Sequence, residues 1–285
     1  MKKILVTGAN GQLGSEIKMI APGYPQFDFI FTDIADFPLD QTEVIISNFK
    51  SIQPDIVINC AAYTAVDKAE QDQVVADAIN HLAIATLASL CAESGAQLVH
   101  ISTDYVFDGT SPIAYKEDDQ PNPKSVYGVT KLAGETACLK NCPDSIILRT
   151  AWVYSEFGNN FVKTMLRLMS ERETLNVVND QVGSPTYAAD LAQVIMTILD
   201  SNHWQSGIYH YSNAGEISWF DFAQDIKEIA HKTCDIFGIP AANYPTPAER
   251  PAYSLLNKSK IKEVYGIEAV DYKVSLKKMM GRLTP

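Results

Sequence analysis

A short apolar run that breaks into three evenly spaced glycines fixes what the first half of this chain can become. Lys3-Ile4-Leu5-Val6 has the unbroken apolar character of a strand buried on both faces of a parallel sheet. It runs into Gly8-Ala9-Asn10-Gly11-Gln12-Leu13-Gly14, after which Leu13, Ile17 and Ile20 recur at helical spacing. A strand, a glycine turn and a helix in that order leave unpaired N–H groups and a positive dipole end at the helix start. Gly8 permits the sharp turn, Gly11 lets the backbone approach a pyrophosphate, and Gly14 lets the helix lie close on the sheet. The loop holding Gly8, Asn10, Gly11, Gln12, Leu13 and Gly14 is therefore a candidate dinucleotide cradle; a strand-to-helix turn without ligand is the plainer reading.

Strand-like and helix-like stretches alternate from there. Residues 27–31 read as a second strand ending in Thr32-Asp33. An acid about 20 residues after such a loop can accept hydrogen bonds from an adenosine ribose. Its bare carboxylate would favour NADH by repelling a 2′-phosphate; an ordinary loop aspartate is the other reading. A helix over 42–50 leads to a third strand, 54–59, which ends in Cys60-Ala61-Ala62-Tyr63-Thr64. Small residues at a strand's C-terminal end leave room for a flat ligand. Residues 66–94 read as helix, with Ile79, Leu82, Ala83, Leu87 and Leu90 as its core stripe. A fourth strand, 97–101, is followed by Ser102-Thr103-Asp104, and 145–149 is a fifth.

This alternation predicts an α/β chain with a Rossmann-type doubly wound parallel sheet. Residues 1–150 would form the dinucleotide-binding domain, with later segments returning to it, and 151–285 mainly a smaller C-terminal α/β substrate lobe. In that second half, helices are expected over 161–171, 188–199, 258–264 and 274–280, with another opening at Ser218; 208–211 reads as a strand. The proline-rich stretch 244–251 can only be a loop.

The chemistry concentrates at Ser125-Val126-Tyr127-Gly128-Val129-Thr130-Lys131. In a helix, Tyr127 and Lys131 stand one above the other on one face. A phenol titrates near pH ~10, and a neighbouring ammonium pulls that value down. Such a pair can give a proton to a carbonyl or take one from an alcohol. The spacing also arises by chance in a chain with 13 tyrosines, so the other motifs must supply the context. Thr103, at a strand's C-terminal end, can donate to a carbonyl oxygen that becomes negative on reduction.

Charge and composition exclude other classes. A formal charge of −11 would repel a nucleic acid backbone, so no nucleic-acid partner is expected. No uninterrupted apolar run approaches the ~18 residues needed to span a membrane, and the chain is read as cytoplasmic. Five cysteines, Cys60, Cys91, Cys138, Cys142 and Cys234, argue for reduced thiols, and none has the spacing of a metal site. No metal is expected. Any site for an anionic nucleotide must create local positive potential from helix N-termini or selected cations.

Taken together, the glycine triplet, Ala61-Ala62, Ser102-Thr103 and Tyr127-x-x-x-Lys131 resemble the extended short-chain dehydrogenase/reductase family in order and spacing. The closest likeness within it is to reductases of dTDP-linked 4-keto sugars. It is carried also by Asn59 to Glu70, Ser102 to Gly109, Arg149 to Tyr154, Asn179 to Thr186 and Arg250-Pro251. The resemblance implies that NADPH or NADH gives a hydride to C4 of a dTDP-sugar while Tyr127 protonates the forming alkoxide. Lys131 would hold the nicotinamide ribose and lower the pKa of Tyr127, and Thr103 would bind the keto oxygen. It places Leu39, Asp40, Ala61, Ala62, Tyr63 and Thr64 with the glycine loop and Asp33 among the cofactor-binding positions. Asp104 and Trp152 would touch the sugar and Arg250 its diphosphate. The related 4,6-dehydratases carry an Asp-Glu pair where this chain has Asp104-Tyr105, which leaves simple ketone reduction. Another nucleotide-sugar reductase or epimerase, or a dinucleotide-binding regulatory subunit, are the competing readings, and a homodimer stays open.

Overall fold

Apolar runs that are buried on both faces become parallel strands, and the amphipathic stretches between them become the helices that cover them. The computed structural model describes residues 1–201 and 203–283. Its first half runs β1 (Lys2–Thr7), α1 (Gln12–Ile20), β2 (Phe27–Phe31), α2 (Thr42–Ile52) and β3 (Ile56–Asn59). The stretch expected as one helix is broken into α3 (Val66–Ala69), α4 (Gln73–Asp77), a π-helical turn (Ala78–Leu82) and α5 (Ala83–Ser94). The break falls where Asp72 turns away to accept the Tyr63 hydroxyl at 2.8 Å and to pair with Lys68 at 3.0 Å. From Gln73 to Ser94 the helix is long and apolar enough to cross a membrane by composition. Ile84, Leu87, Leu90 and Cys91 of α5 are nevertheless buried against β3 and α2, as in a core helix.

β4 (Gln97–Thr103), α6 (Val126–Asn141) and β5 (Ile146–Thr150) complete the expected series. There follow β6 (Val153–Tyr154), α7 (Phe161–Glu171), β7 (Thr174–Val178), β8 (Val182–Gly183), β9 (Thr186–Tyr187), α8 (Ala188–Asp200) and β10 (Gly207–His210). The chain closes with β11 (Ile217–Ser218), α9 (Trp219–Ile229), β12 (Asp235–Ile239), α10 (Ser259–Tyr265) and α11 (Tyr272–Leu283).

The main sheet has the order β10-β5-β4-β3-β1-β2, every neighbour parallel. It is the doubly wound α/β arrangement. One face is covered by α1, α8 and α10 through Ile17, Leu191, Ile195 and Ile261; the other by α2 and α5. Because β1 pairs with β2 on one side and β3 on the other, the chain reverses direction across the sheet at β1. Such a switch point opens a crevice at the strands' C-terminal ends. Gly8, Cys60 and Thr103 or their neighbours all lie at that edge.

A second core gathers Met165, Phe222, Ile226, Cys234 and Leu276 around the parallel pair β7–β12, covered by α7, α9 and α11. Neither strand of this pair was expected from the sequence. The sheet's sixth strand, β10, follows β6 to β9 in the chain; the sequence reads 208–211 as a strand, and the structure sets β10 beside β5.

Candidate active site

The glycine loop is shaped by close contacts that only glycine tolerates. Gly8 has φ +66°, and a Cβ there would lie 2.8 Å from the Ala61 backbone, so the loop rests directly on the end of β3. The Gly11 N–H closes the turn on Gly8 O at 3.0 Å, and Gly11 caps α1 with no side-chain hydrogen bond to its first turn. The first-turn N–H groups are thus free to receive a phosphate, which fits the dinucleotide expected here. Asp33 buttresses the loop: Oδ2 accepts the Asn10 N–H at 2.7 Å and Oδ1 the Ile34 N–H at 2.8 Å. Gln12 reaches away, donating to Val153 O at 3.4 Å and accepting from Asn160 at 3.0 Å. Leu13 and Leu39 are buried in the cores on opposite faces of the sheet, while Asp40 is exposed.

Ala61, Ala62 and Tyr63 line the end of β3 and Thr64 is exposed beyond them. This segment is held by Asn80 from the π-helical turn, which accepts the Tyr63 N–H at 2.8 Å and donates to Tyr63 O at 3.1 Å. The same amide donates to Thr130 Oγ1 at 3.2 Å, so one side chain ties the crevice wall to α6. A π-turn at a functional wall is a recurrent use of that geometry.

Helix α6 begins with Ser125 as its cap, whose Oγ accepts the Gly128 N–H at 3.2 Å. A Cβ on Gly128 would sit 2.2 Å from Tyr105 O, so the first turn of α6 is pressed against the loop that follows Thr103. This contact brings Tyr127 beside Thr103, whose hydroxyl favours the Tyr127 phenolate. Thr103 also donates to Asp104 Oδ1 at 3.0 Å and accepts the Tyr105 N–H at 3.2 Å. The rings of Tyr105 and Tyr127 meet edge to face, 5.5 Å apart. Thr103 and Tyr127 thus stand side by side at the crevice, and the Ser102 hydroxyl nearby is buried without a partner among the described residues.

The electrostatics differ from the expectation that Lys131 depresses the Tyr127 phenol. Burial pushes Tyr127 up to about 12, the Thr103 hydroxyl opposes this, and Lys131 plays no part. The reason is that Lys131 Nζ points into the sheet, donating to Ile101 O at 2.6 Å and lying 3.4 Å from His100 Nε2. Burial lowers Lys131 to about 8, against the pull of Glu135 and Cys138. Burial also raises Asp104 to about 6, opposed by the hydroxyls of Ser254 and Thr103.

On the substrate side, Trp152 has φ +48°, an uncommon backbone for a bulky residue, and its ring stacks on Trp219 at 3.6 Å. Arg250 is not a free cation. Its guanidinium grips Asp67 in two bonds of 2.7 and 3.0 Å, while the adjoining Pro251 packs against Gly109 of the Asp104 loop. Arg250 therefore stands beside the site already neutralised by a carboxylate at the start of α3.

The RmlD substrate binding domain family matches residues 1–284. A dTDP-4-dehydrorhamnose reductase of Sinorhizobium fredii is 41% identical, over 99% of this chain and 97% of its own length. This chain belongs to the dTDP-4-dehydrorhamnose reductase family. Solved structures of the family agree in fold. That of Clostridium acetobutylicum superposes with a TM-score of 0.96 at 40% identity, covering 99% of this chain and all of its own. That of Bacillus anthracis, in complex with NADP, gives 0.94 at 36% identity, covering 99% of each chain. Within this dTDP-4-dehydrorhamnose reductase fold, Asn80 and His100 are structural partners of the site outside the quoted motifs, and Asn59 and Gly128 lie within those motifs with no role assigned to them. Asn59 and His100 carried a signal all the same, as polar residues inside otherwise apolar strands.

Proposed function

We propose that the chain catalyses the NAD(P)H-dependent reduction of the C4 keto group of dTDP-4-dehydro-L-rhamnose to dTDP-L-rhamnose. The observation that carries this reading is Tyr127 set beside Thr103 by α6, the helix that also bears Lys131, next to a glycine cradle at the sheet's switch point. A bound reduced nicotinamide supplies the hydride. Everything else falls to side chains of the chain itself. Tyr127, with its pKa pushed to about 12, keeps its proton at neutral pH and gives it to the more basic alkoxide as that oxygen gains charge. The Thr103 hydroxyl, whose one hydrogen now goes to Asp104 Oδ1, turns that hydrogen to the same oxygen when the substrate is bound. Lys131 binds the nicotinamide ribose by turning Nζ out of the sheet, and Trp152 supports the sugar. Arg250, shared with Asp67, answers the diphosphate. The glycine loop with Asn10, Gln12 and Leu13 receives the pyrophosphate, and Asp33 the adenosine ribose.

The relatives' activities and the NADP complex of the Bacillus anthracis protein support this assignment. Loss of reduced-nicotinamide absorbance, followed with the 4-keto sugar nucleotide and separately with NADPH and NADH, tests it. Tyr127→Phe is expected to lower kcat by about 10²–10⁴-fold, the usual worth of general acid catalysis. Unchanged turnover in that variant would overturn the assignment.

A further inference from the structure

Beneath the crevice a line of polar side chains crosses three strands of an otherwise apolar sheet. Thr7 is the last residue of β1, next to Gly8. Its Oγ1 donates to Asn59 Oδ1 at 2.6 Å, and the Asn59 amide nitrogen faces His100 Nδ1 at 3.0 Å. His100 Nε2 faces Lys131 Nζ at 3.4 Å. Thr7, Asn59, His100 and Lys131 are each exposed by 1% or less. Buried polar groups of this kind are costly unless satisfied, so their donor and acceptor roles can be followed one after another.

The Asn59 oxygen is occupied by the Thr7 hydroxyl. Its NH₂ also donates to Ala61 O at 3.2 Å, and turning the amide over would set two carbonyl oxygens against each other. The amide therefore presents N–H to His100, and Nδ1 must be the acceptor. A neutral imidazole with Nδ1 unprotonated carries its hydrogen on Nε2. His100 is neutral, since burial and the nearby Lys131 hold its pKa well below the usual histidine range. An N–H then points at Lys131 Nζ, where it suits an amine lone pair and opposes an ammonium. The long 3.4 Å separation is what two facing N–H groups would adopt.

We propose that His100 is a positioning residue for the reaction: its Nε2–H, aimed by Asn59 and Thr7, governs how many protons Lys131 carries. The proposal rests on the reductase reading for its relevance but not for its test. Other titratable groups near Lys131 do not relieve the conflict. Glu135 on the same helix is engaged by Arg149 of β5 in bonds of 2.9 and 2.7 Å. Cys138, also on α6, adjoins Cys91 of α5 and Cys142, and Tyr127 faces Thr103 and Asp104. The line ends beside Gly8, so a dinucleotide seated on the loop and the lysine that would hold its ribose are joined through the interior of the sheet.

The experiment uses the full chain with ¹³C-labelled lysine, reading the Lys131 Cε resonance against pH without ligand and assigning it by Lys131→Met. Lys131 is expected to titrate well below an ordinary lysine, which titrates near ~10.4. In His100→Gln the side-chain amide can turn its carbonyl to Nζ, and the midpoint should rise by about one pH unit or more. An ordinary midpoint in the unmodified protein, or an equal one in His100→Gln, overturns the proposal. If that variant does not fold, imidazole ¹⁵N spectra of the unmodified protein decide. The Nε2–H tautomer at His100 upholds the proposal and the Nδ1–H tautomer overturns it. None of these readouts needs turnover, so a failure here leaves the reductase assignment standing, and a failed assay leaves this result standing.

Discussion

At Tyr127 the useful property is a proton held tightly, not one loosened. A phenol destined to protonate an alkoxide loses nothing by a raised pKa, provided the oxygen it serves is more basic still. The neighbouring Asp104 is under the opposite strain, a carboxyl whose charge the site disfavours. Its folded pKa, about 6, lies above the ordinary 3.8, so its contribution to stability is full below about pH 4 and is lost as pH rises through about 6. Asp104→Asn removes that loss while its amide oxygen can still accept from Thr103. The variant should therefore gain roughly 2–3 kcal/mol of stability at pH 8 over its relation to the unmodified chain at pH 4. Denaturant unfolding at both pH values checks this. Residue types such as Tyr127, Lys131 and Thr103 were legible because their chemistry is local and their spacing regular. The inward aim of Lys131 was not legible, because it depends on His100 lying on a different strand.

Among the elements, α6 carries the site, and what places it is the absence of a side chain. Gly128 lets the helix close on Tyr105, and a built Cβ at 2.2 Å from that carbonyl leaves no room for anything larger. Gly128→Ala must push the first turn of α6 away, costing about 1–3 kcal/mol as an overpacked contact. Turnover should fall by more than the stability loss explains, because Tyr127 is drawn away from Thr103 with it. Thermal unfolding and kcat at a temperature where the variant stays folded separate the two effects. The strands β1, β3, β4 and β5 could be read from the sequence since burial on both faces leaves largely apolar runs, and the edge strand β2 from its run of phenylalanines. The pair β7–β12 could not, since its members are about 60 residues apart in sequence, part exposed, and meaningful only once paired. The π-turn at Ala78–Leu82 escaped for a related reason: one extra residue in a helical stretch changes no periodicity strongly enough to be noticed.

For the molecule as a whole, Arg282 near the C-terminal end joins parts far apart in sequence. From α11 it donates to Glu156 at 2.9 Å and to the Tyr187 hydroxyl at 2.9 Å, and it lies 3.6 Å from Glu16 of α1. Glu16 is fully buried and accepts the Ser155 hydroxyl at 2.7 Å; burial raises its carboxyl to about 7. Arg282 is partly exposed, so its removal should cost only about 1 kcal/mol. The sign of its pH dependence follows from Glu16, whose folded form prefers to be neutral. Arg282→Ala should lower Tm by about 2 °C at pH 5 and by more at pH 8, where Glu16 would bear an uncompensated charge. Equal losses at both pH values would show that the three regions are not joined through this carboxyl.

The provenance of β10 has a consequence for synthesis. A ribosome that has delivered the first 150 residues has made five strands of the sheet, yet the strand that covers β5 arrives only with Gly207–His210. Until then the fully buried face and backbone of Ile146–Thr150 form an open margin, ready to pair with any other extended chain. The nascent protein must therefore wait, with one edge of its main sheet unsealed, for more than fifty further residues of translation. A fragment ending at residue 150 should collect in inclusion bodies, whereas one extended through residue 283 should stay in the supernatant.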